Sequence, residues 1–306
     1  MLRSVILRAA DDAWVKSLVA KAPVSRDVVA RFVAGEALDD AVRATGALIS
    51  DGLRVSLDHL GEDTCNAGQA EATTKAYLAL LGRLADEGLT SGAEVSVKLS
   101  AVGQLLDEAM AIDNAGSICE AAVAAGTTVT LDMEDHTTTD STLRIHRELR
   151  RDFPTTGAVI QSYLRRSEAD CRDLAAARSR VRLCKGAYSE PESVAFQSRG
   201  EVDRSYVRCL KVLMNGSGYP MVATHDPRLV AIAGALVRQV GRKQGSYEYQ
   251  MLYGIRPNEQ RRLAGAGETV RVYVPYGDEW YGYLMRRLAE RPANVTFFLR
   301  ALATKS

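Results

Sequence analysis

Several things are missing from this 306-residue chain, and each absence removes a class of function. There is no GxGxxG run, so the glycine-rich turn of a dinucleotide-binding open sheet is absent. No stretch reaches the length of apolar sequence that a membrane-spanning helix needs. The opening "MLRSVILRAADDAW" is apolar only briefly and lacks the core and cleavage site of a signal peptide. The 5 cysteines are an odd number with no CxxC pair, which argues against a disulfide scaffold or zinc cluster. Reduced thiols place the expected location in the cytoplasm. Charge of one sign is missing too: Lys+Arg 39 against Asp+Glu 38 leaves +1. No basic run interleaves with aromatics, so nucleic acid is not an expected partner.

What is present is ordinary globular composition, 46% hydrophobic and 25% charged. Residues 1–50 read as an N-terminal helical segment, with Ser25, Asp27 and Asp39 suited to capping. The rhythm then changes. β-rich runs recur at 53–62, 94–100, 127–135, 157–163, 180–188, 219–226, 246–252 and 269–277, with amphipathic stretches between them. Such alternation predicts βαβ units and a parallel sheet. Eight of them across 51–306 predict an α/β fold, a (β/α)8 barrel; a doubly wound sheet is the rival.

A barrel places chemistry at the C-terminal ends of its strands. Those ends carry Asp58 and Glu62; Lys98; Asp132, Glu134 and Asp135; Gln161 and Tyr163; Lys185; Thr224, His225 and Asp226; Gln250; and Tyr273. Any one has a bland explanation, since a strand-end Asp often caps the next helix. Together they point to an enzyme. "LCKGAYSEP" pairs Lys185 with Gly186, which lets backbone approach a phosphate or ring. Lysines after strands 2 and 5 leave a Schiff-base lyase open. In "LDMEDH", alternation sends Asp132 and Glu134 to one side, a potential divalent-metal site with His225 or Asp226. The lack of HxH or HxxE spacing argues against a metal. "YEYQMLYG" sets the Gln250 amide beside the apolar Leu252, which suits a planar heteroaromatic ligand. In "YLMRRLAERP", Arg286 and Arg287 diverge by about 100° on a helix, so a surface doublet with an Arg286–Glu290 pair is the bland reading.

Taken in order, "VSVKLS", "LDMED", "QSYLRR", "RLCKGAYSEP", "ATHD", "YEYQMLYG", "VYVPYG" and "YLMRRLAERPANVTF" closely resemble the proline dehydrogenase family. The resemblance spans about residues 53–300 and is to the small monofunctional bacterial branch. It implies a distorted barrel with extra N-terminal helices and a last helix across the mouth. It implies FAD as cofactor, L-proline as substrate, Δ1-pyrroline-5-carboxylate as product and a membrane quinone as electron acceptor. A pyrroline-5-carboxylate dehydrogenase is the implied next partner. A soluble chain would meet quinone by peripheral contact at the inner membrane face, with an amphipathic helix among residues 1–50 as the candidate.

By the same resemblance, Arg286 and Arg287 bind the proline carboxylate, with Lys98 beside it and paired to Glu62 or another acid. Asp132 sits near the substrate nitrogen. Tyr273, Leu252 and Tyr188 pack around the ring. Arg182 contacts the flavin near N5. Met133, Gln161, Lys185, Gly186, Ala187, Thr224, His225, Gln250 and Glu290 are the implied FAD contacts. Tyr273 leaves little room for a 4-hydroxyl on the ring. Cys184 and Ser189 depart from the valine and tryptophan that many relatives carry.

Overall fold

The computed structural model describes residues 29–61 and 64–290, the last five of them as helical backbone alone. Ser25, Asp27, Glu62 and the side chains of Arg286, Arg287 and Glu290 therefore lie outside the described residues. Eight strands close into one parallel barrel in chain order. They are β1 (Arg54–His59), β2 (Ala93–Val97), β3 (Val129–Leu131), β4 (Gly157–Gln161), β5 (Arg180–Cys184), β6 (Tyr219–Ala223), β7 (Glu248–Leu252) and β8 (Val270–Tyr276). Beside the helical residues 29–32 and a short 3-10 helix at Ser100–Val102, the described helices are α1 (Leu38–Ser50), α2 (Ala67–Asp86), α3 (Glu108–Ala124), α4 (Thr139–Leu149), α5 (Ser167–Ala176), α6 (Arg199–Asn215), α7 (Pro227–Val240), α8 (Pro257–Gly265) and α9 (Trp280–Glu290). The expected barrel is what forms, and each β-rich run contributes one strand.

The helices start where short polar side chains satisfy their unpaired N–H groups. Asn66 caps α2, Asp107 caps α3, Ser198 caps α6, and Asp226 caps α7 with Pro227 in its first turn. At α1 the expectation shifts by one residue. Asp40, not Asp39, reaches back to the Ala37 N–H at 3.1 Å, because only the third helical position faces the cap.

Alternation along the strands sorts two environments. Val55, Leu57, Val95, Val97, Leu131, Ile160, Val181, Leu183 and Val222 point outward into the layer beneath the helices and are buried there. Ser56, Asp58, Glu94, Ser96, Arg182, Glu248, Gln250 and Arg271 point into the barrel and are buried too. The outer layer is apolar; the interior is a hydrogen-bonded polar lattice, as buried charge requires.

One slot is filled unusually. The stretch before α1 pairs with the end of β8, through Ala34 N–H to Pro275 O at 3.0 Å and Gly277 N–H to Gly35 O at 3.0 Å. From there α1 runs against β1 and β8. The helix after β8 is thus left at the mouth, where Trp280 Nε1 donates to Glu36 at 2.9 Å and Tyr283 borders the central cavity.

Strand β3 is shorter than the run 127–135 suggests. Asp132 N–H makes a last ladder bond to Val97 O at 2.8 Å, after which Asp135 turns the chain by accepting from Thr137 N–H at 2.8 Å. The expected common face for Asp132 and Glu134 is lost with the strand. Asp132 points into the barrel, while Glu134 turns to accept from Ser100 Oγ at 2.6 Å and its N–H at 3.2 Å.

Candidate active site

A cavity of about 940 Å³ opens at the C-terminal ends of the strands. Lys98, Asp132, Met133, Gln161, Arg182, Lys185, Gly186, Ala187, Tyr188, Thr224, His225, Gln250, Leu252 and Tyr273 all line it. These are all of the expected site residues whose side chains are described. With Asp58 of β1 also in the wall, residues in or just beyond all eight strands meet there, because parallel strands end on one side of the barrel.

Asp132 accepts three side-chain hydrogen bonds in the wall. Its Oδ1 accepts from Ser96 Oγ at 2.8 Å and Arg182 Nη1 at 2.7 Å, and its Oδ2 from the Tyr273 hydroxyl at 2.7 Å. Burial, and then the charges of Asp132 and Asp58, push the Tyr273 phenol well above its usual range, so it stays protonated and donates. The Arg182 guanidinium also lies 5.2 Å from the Tyr273 ring centroid.

Lys98 follows β2, and its Nζ lies 2.5 Å from Oδ2 of Asp58 on β1. The observed partner is thus Asp58. Asp58 is fully buried, and its Oδ1 has no hydrogen-bond partner. Burial raises its pKa first, Lys98 opposes that, and the neighbouring Asp132 adds to the rise. Pairing without full satisfaction is costly, so the pair is held by the fold rather than holding it.

The far side of the cavity is built from loops. Gly186 has φ +111, and an added Cβ would stand 2.4 Å from the Tyr163 ring, so only glycine lets this loop lie so close. Gln161 tethers it: Nε2 donates to Met133 O at 3.2 Å, and Oε1 accepts from Ala187 N–H at 3.4 Å. His225 Nε2 accepts from Leu252 N–H at 2.9 Å, which puts the proton of the neutral ring on Nδ1. Thr224 Oγ1 accepts from Asp226 N–H at 3.1 Å. Lys185 stands at the rim, 2.6 Å from Asp203 and 3.2 Å from Asp226, and Arg228 joins the same two acids.

Two features escaped the sequence reading. Glu190 clamps three loops, accepting from His136 N–H at 2.9 Å and from the Tyr163 hydroxyl at 3.2 Å, and pairing with the His136 ring. The second is the barrel floor of Glu94, Arg180, Glu248 and Arg271. Charged residues alternating with apolar ones in "EVSV", "RVRL" and "TVRVYV" were the available signal. The two lysines considered for Schiff-base chemistry are both tied in ion pairs with carboxylates. Among the described residues, no three His, Cys, Asp or Glu side chains form a metal-holding group.

Comparison with known proteins bears on what this cavity is for. Residues 41–300 match the family model described as proline dehydrogenase. The chain is 37% identical over 305 residues to Proline dehydrogenase 1 of Bacillus subtilis (strain 168), covering 100% of both. It is 37% identical over 307 residues to Proline dehydrogenase of Deinococcus radiodurans, covering 99% of this chain and 98% of that one. Among solved structures it resembles proline utilization A (PutA) from Bdellovibrio bacteriovorus inactivated by N-propargylglycine. The TM-score there is 0.79 at 25% identity over 85% of this chain, which spans only 32% of that longer protein. With the barrel, the cavity and the matched sequence in agreement, the chain belongs to the proline dehydrogenase family.

Proposed function

We propose that this protein oxidises L-proline to Δ1-pyrroline-5-carboxylate with FAD as cofactor and a membrane quinone as electron acceptor. The observation that carries the reading is the chemistry of one wall. Lys98, Asp132 and Tyr273 set a cation, an anion and an aromatic hydroxyl around a single space, a match for a zwitterion with an apolar ring. The N-propargylglycine that inactivates the PutA relative is likewise an N-substituted amino acid.

The cavity suits the cofactor. Its volume lies near the top of the roughly 300–1,000 Å³ range of small-molecule sites. The glycine approach at Gly186 and the rim cations Lys185, Arg199 and Arg228 suit a large anionic ligand with a planar ring. Met133, Gln161, Lys185, Gly186, Ala187, Thr224, His225, Gln250 and Glu290 would hold it. When bound, FAD supplies the two-electron acceptor.

The chain's own residues do the rest. Arg286 and Arg287 bind the substrate carboxylate bidentately, as guanidinium forks do. Lys98 adds a second cation beside it. Tyr273, Leu252 and Tyr188 position the ring, and Tyr273 bars a 4-hydroxyl. A carboxylate has about four acceptor positions. Asp132 uses three of these, leaving one for the substrate N–H and its proton. Electrons reach quinone by peripheral contact on this reading; no described helix is long and apolar enough to cross a membrane. A pyrroline-5-carboxylate dehydrogenase takes up the product.

The test is an anaerobic spectrum of the purified protein. An oxidised-flavin spectrum bleached by L-proline and restored by a quinone analogue is the expected result. A colourless protein that forms a borohydride-trappable adduct overturns the reading.

A further inference from the structure

Arg182 has five N–H donors, and the protein uses all of them. Nε donates to Gln250 Oε1 at 2.6 Å; Nη1 to Ser96 Oγ and Asp132 Oδ1, each at 2.7 Å; Nη2 to Ser56 Oγ at 2.8 Å and Glu94 Oε1 at 3.3 Å. No donor remains for a ligand. What Arg182 offers the cavity is its charge and its grip on Asp132. Whatever holds Arg182 therefore acts on the chemistry above it.

Glu94 is the charged group beneath. It is 1% exposed and does not line the cavity. Its Oε1 also accepts from Ser56 Oγ at 3.0 Å and Thr130 Oγ1 at 3.2 Å, and its Oε2 from Arg180 Nη2 at 2.6 Å and Thr128 Oγ1 at 3.2 Å. Burial alone would raise its pKa; Arg271, Arg180 and Arg182 together reverse that and hold it well below the usual carboxylate range. Beside it, Glu248 binds Arg271 at 2.7 Å and takes the Gln250 amide at 2.6 Å, which turns the Gln250 oxygen toward Arg182. Arg180, Arg182 and Arg271 thus face Glu94, Glu248 and Asp132, three cations against three carboxylates, with Arg182 and Arg271 buried and Arg180 partly so.

We propose that Glu94 is a positioning residue for proline oxidation: from the barrel floor it fixes Arg182, and through Arg182 it sets the place of Asp132 and the charge at the base of the cavity. This rests on the flavin-linked reading above. Without the Glu94 charge, one buried guanidinium is uncompensated. Arg182 then turns toward the carboxylates that remain, and Asp132 moves with it. The floor also gains one positive charge, which favours a reduced, anionic flavin.

The experiment compares flavin-loaded wild type, Glu94→Gln, Glu94→Asp and Ser56→Ala for kcat, proline KM and flavin midpoint potential. Wild type that binds no flavin, or does not turn over proline, refutes the functional reading before any variant is made. In Glu94→Gln, kcat falls about tenfold or more while KM stays within about twofold, because the substrate carboxylate is held elsewhere. Its flavin potential moves positive. Glu94→Asp keeps the charge, so it keeps the wild-type potential and recovers part of kcat. Ser56→Ala removes one bond from Arg182 without changing charge; it lowers kcat severalfold at constant potential and serves as the test if Glu94→Gln does not fold. A folded, flavin-loaded Glu94→Gln with wild-type kcat and potential overturns the proposal. So does a Ser56→Ala variant with wild-type kcat where Glu94→Gln does not fold.

Discussion

Replacing Lys98 by methionine tests the electrostatics of the site in isolation from its ligands. Lys98 Nζ is the partner of Asp58 Oδ2 at 2.5 Å, and Asp58 Oδ1 already has none. The variant therefore leaves a fully buried carboxylate without its cation. Removing one partner of a buried ion pair costs about 3–5 kcal/mol. At about 2–4 °C per kcal/mol for proteins approaching this size, the melting temperature should fall by roughly 10 °C. The sign of the pH dependence follows. Burial already raises Asp58 above its unfolded value, and loss of Lys98 raises it further. The folded state then binds the proton that the unfolded state releases, so stability falls as pH climbs from the unfolded pKa to the folded one. The deficit is smallest in acid and grows as pH rises toward the folded pKa. Lys98→Met combined with Asp58→Asn replaces both charges with neutral groups and should recover most of the loss, since a buried pair rarely outweighs its own desolvation. Thermal unfolding of the four proteins of this cycle at two pH values is the assay. A double variant no more stable than Lys98→Met, or a single variant within about 2 °C of wild type, would refute the reasoning.

Arg286→Met and Arg287→Met should each raise the proline KM steeply while FAD stays bound; an unchanged KM would show that the substrate carboxylate is held by other groups. Lys185→Ala removes one of the two cations that face Asp203 and Asp226 at the cavity rim, leaving Arg228, and should weaken flavin retention; full occupancy after purification would contradict this. His146, far from the cavity, is buried with its Nε2 on Thr156 O at 3.2 Å, and burial lowers its pKa from 6.5 to about 4. Stability is therefore fully present above pH 6.5 and is lost as pH falls toward 4, by about 3 kcal/mol in all. Denaturant unfolding of His146→Gln should show that slope flattened, and an unchanged slope would assign it to other groups.

Much of the site was legible before the fold was known, for a definite reason. In a parallel barrel the end of each strand is also an approach to the ligand, so finding strand ends finds the cavity wall. Lys98, Gln161, Lys185, Gln250 and Tyr273 were placed in this way. The floor was less legible. Alternation in "EVSV" and "RVRL" puts Glu94, Arg180 and Arg182 on the inner face, but it does not say which charges meet. Asp132 and Glu134 show the limit of alternation itself, which holds only while the chain stays in the sheet. Asp135 ends that with a turn of its own.

The sequence by itself determined the number of strands, their order, the face on which each side chain lies while the chain stays in the sheet, and the family to which the chain is similar. Those follow from local periodicity and from motifs that are contiguous in the chain. Only the tertiary structure decided that Lys98 meets Asp58 across 40 residues, that Arg182 uses up its five donors, and that α1 fills the slot between β8 and β1. These depend on the stagger between neighbouring strands and on closure of the barrel. Both are set by the packing of all eight strands at once, so no short stretch of sequence encodes them.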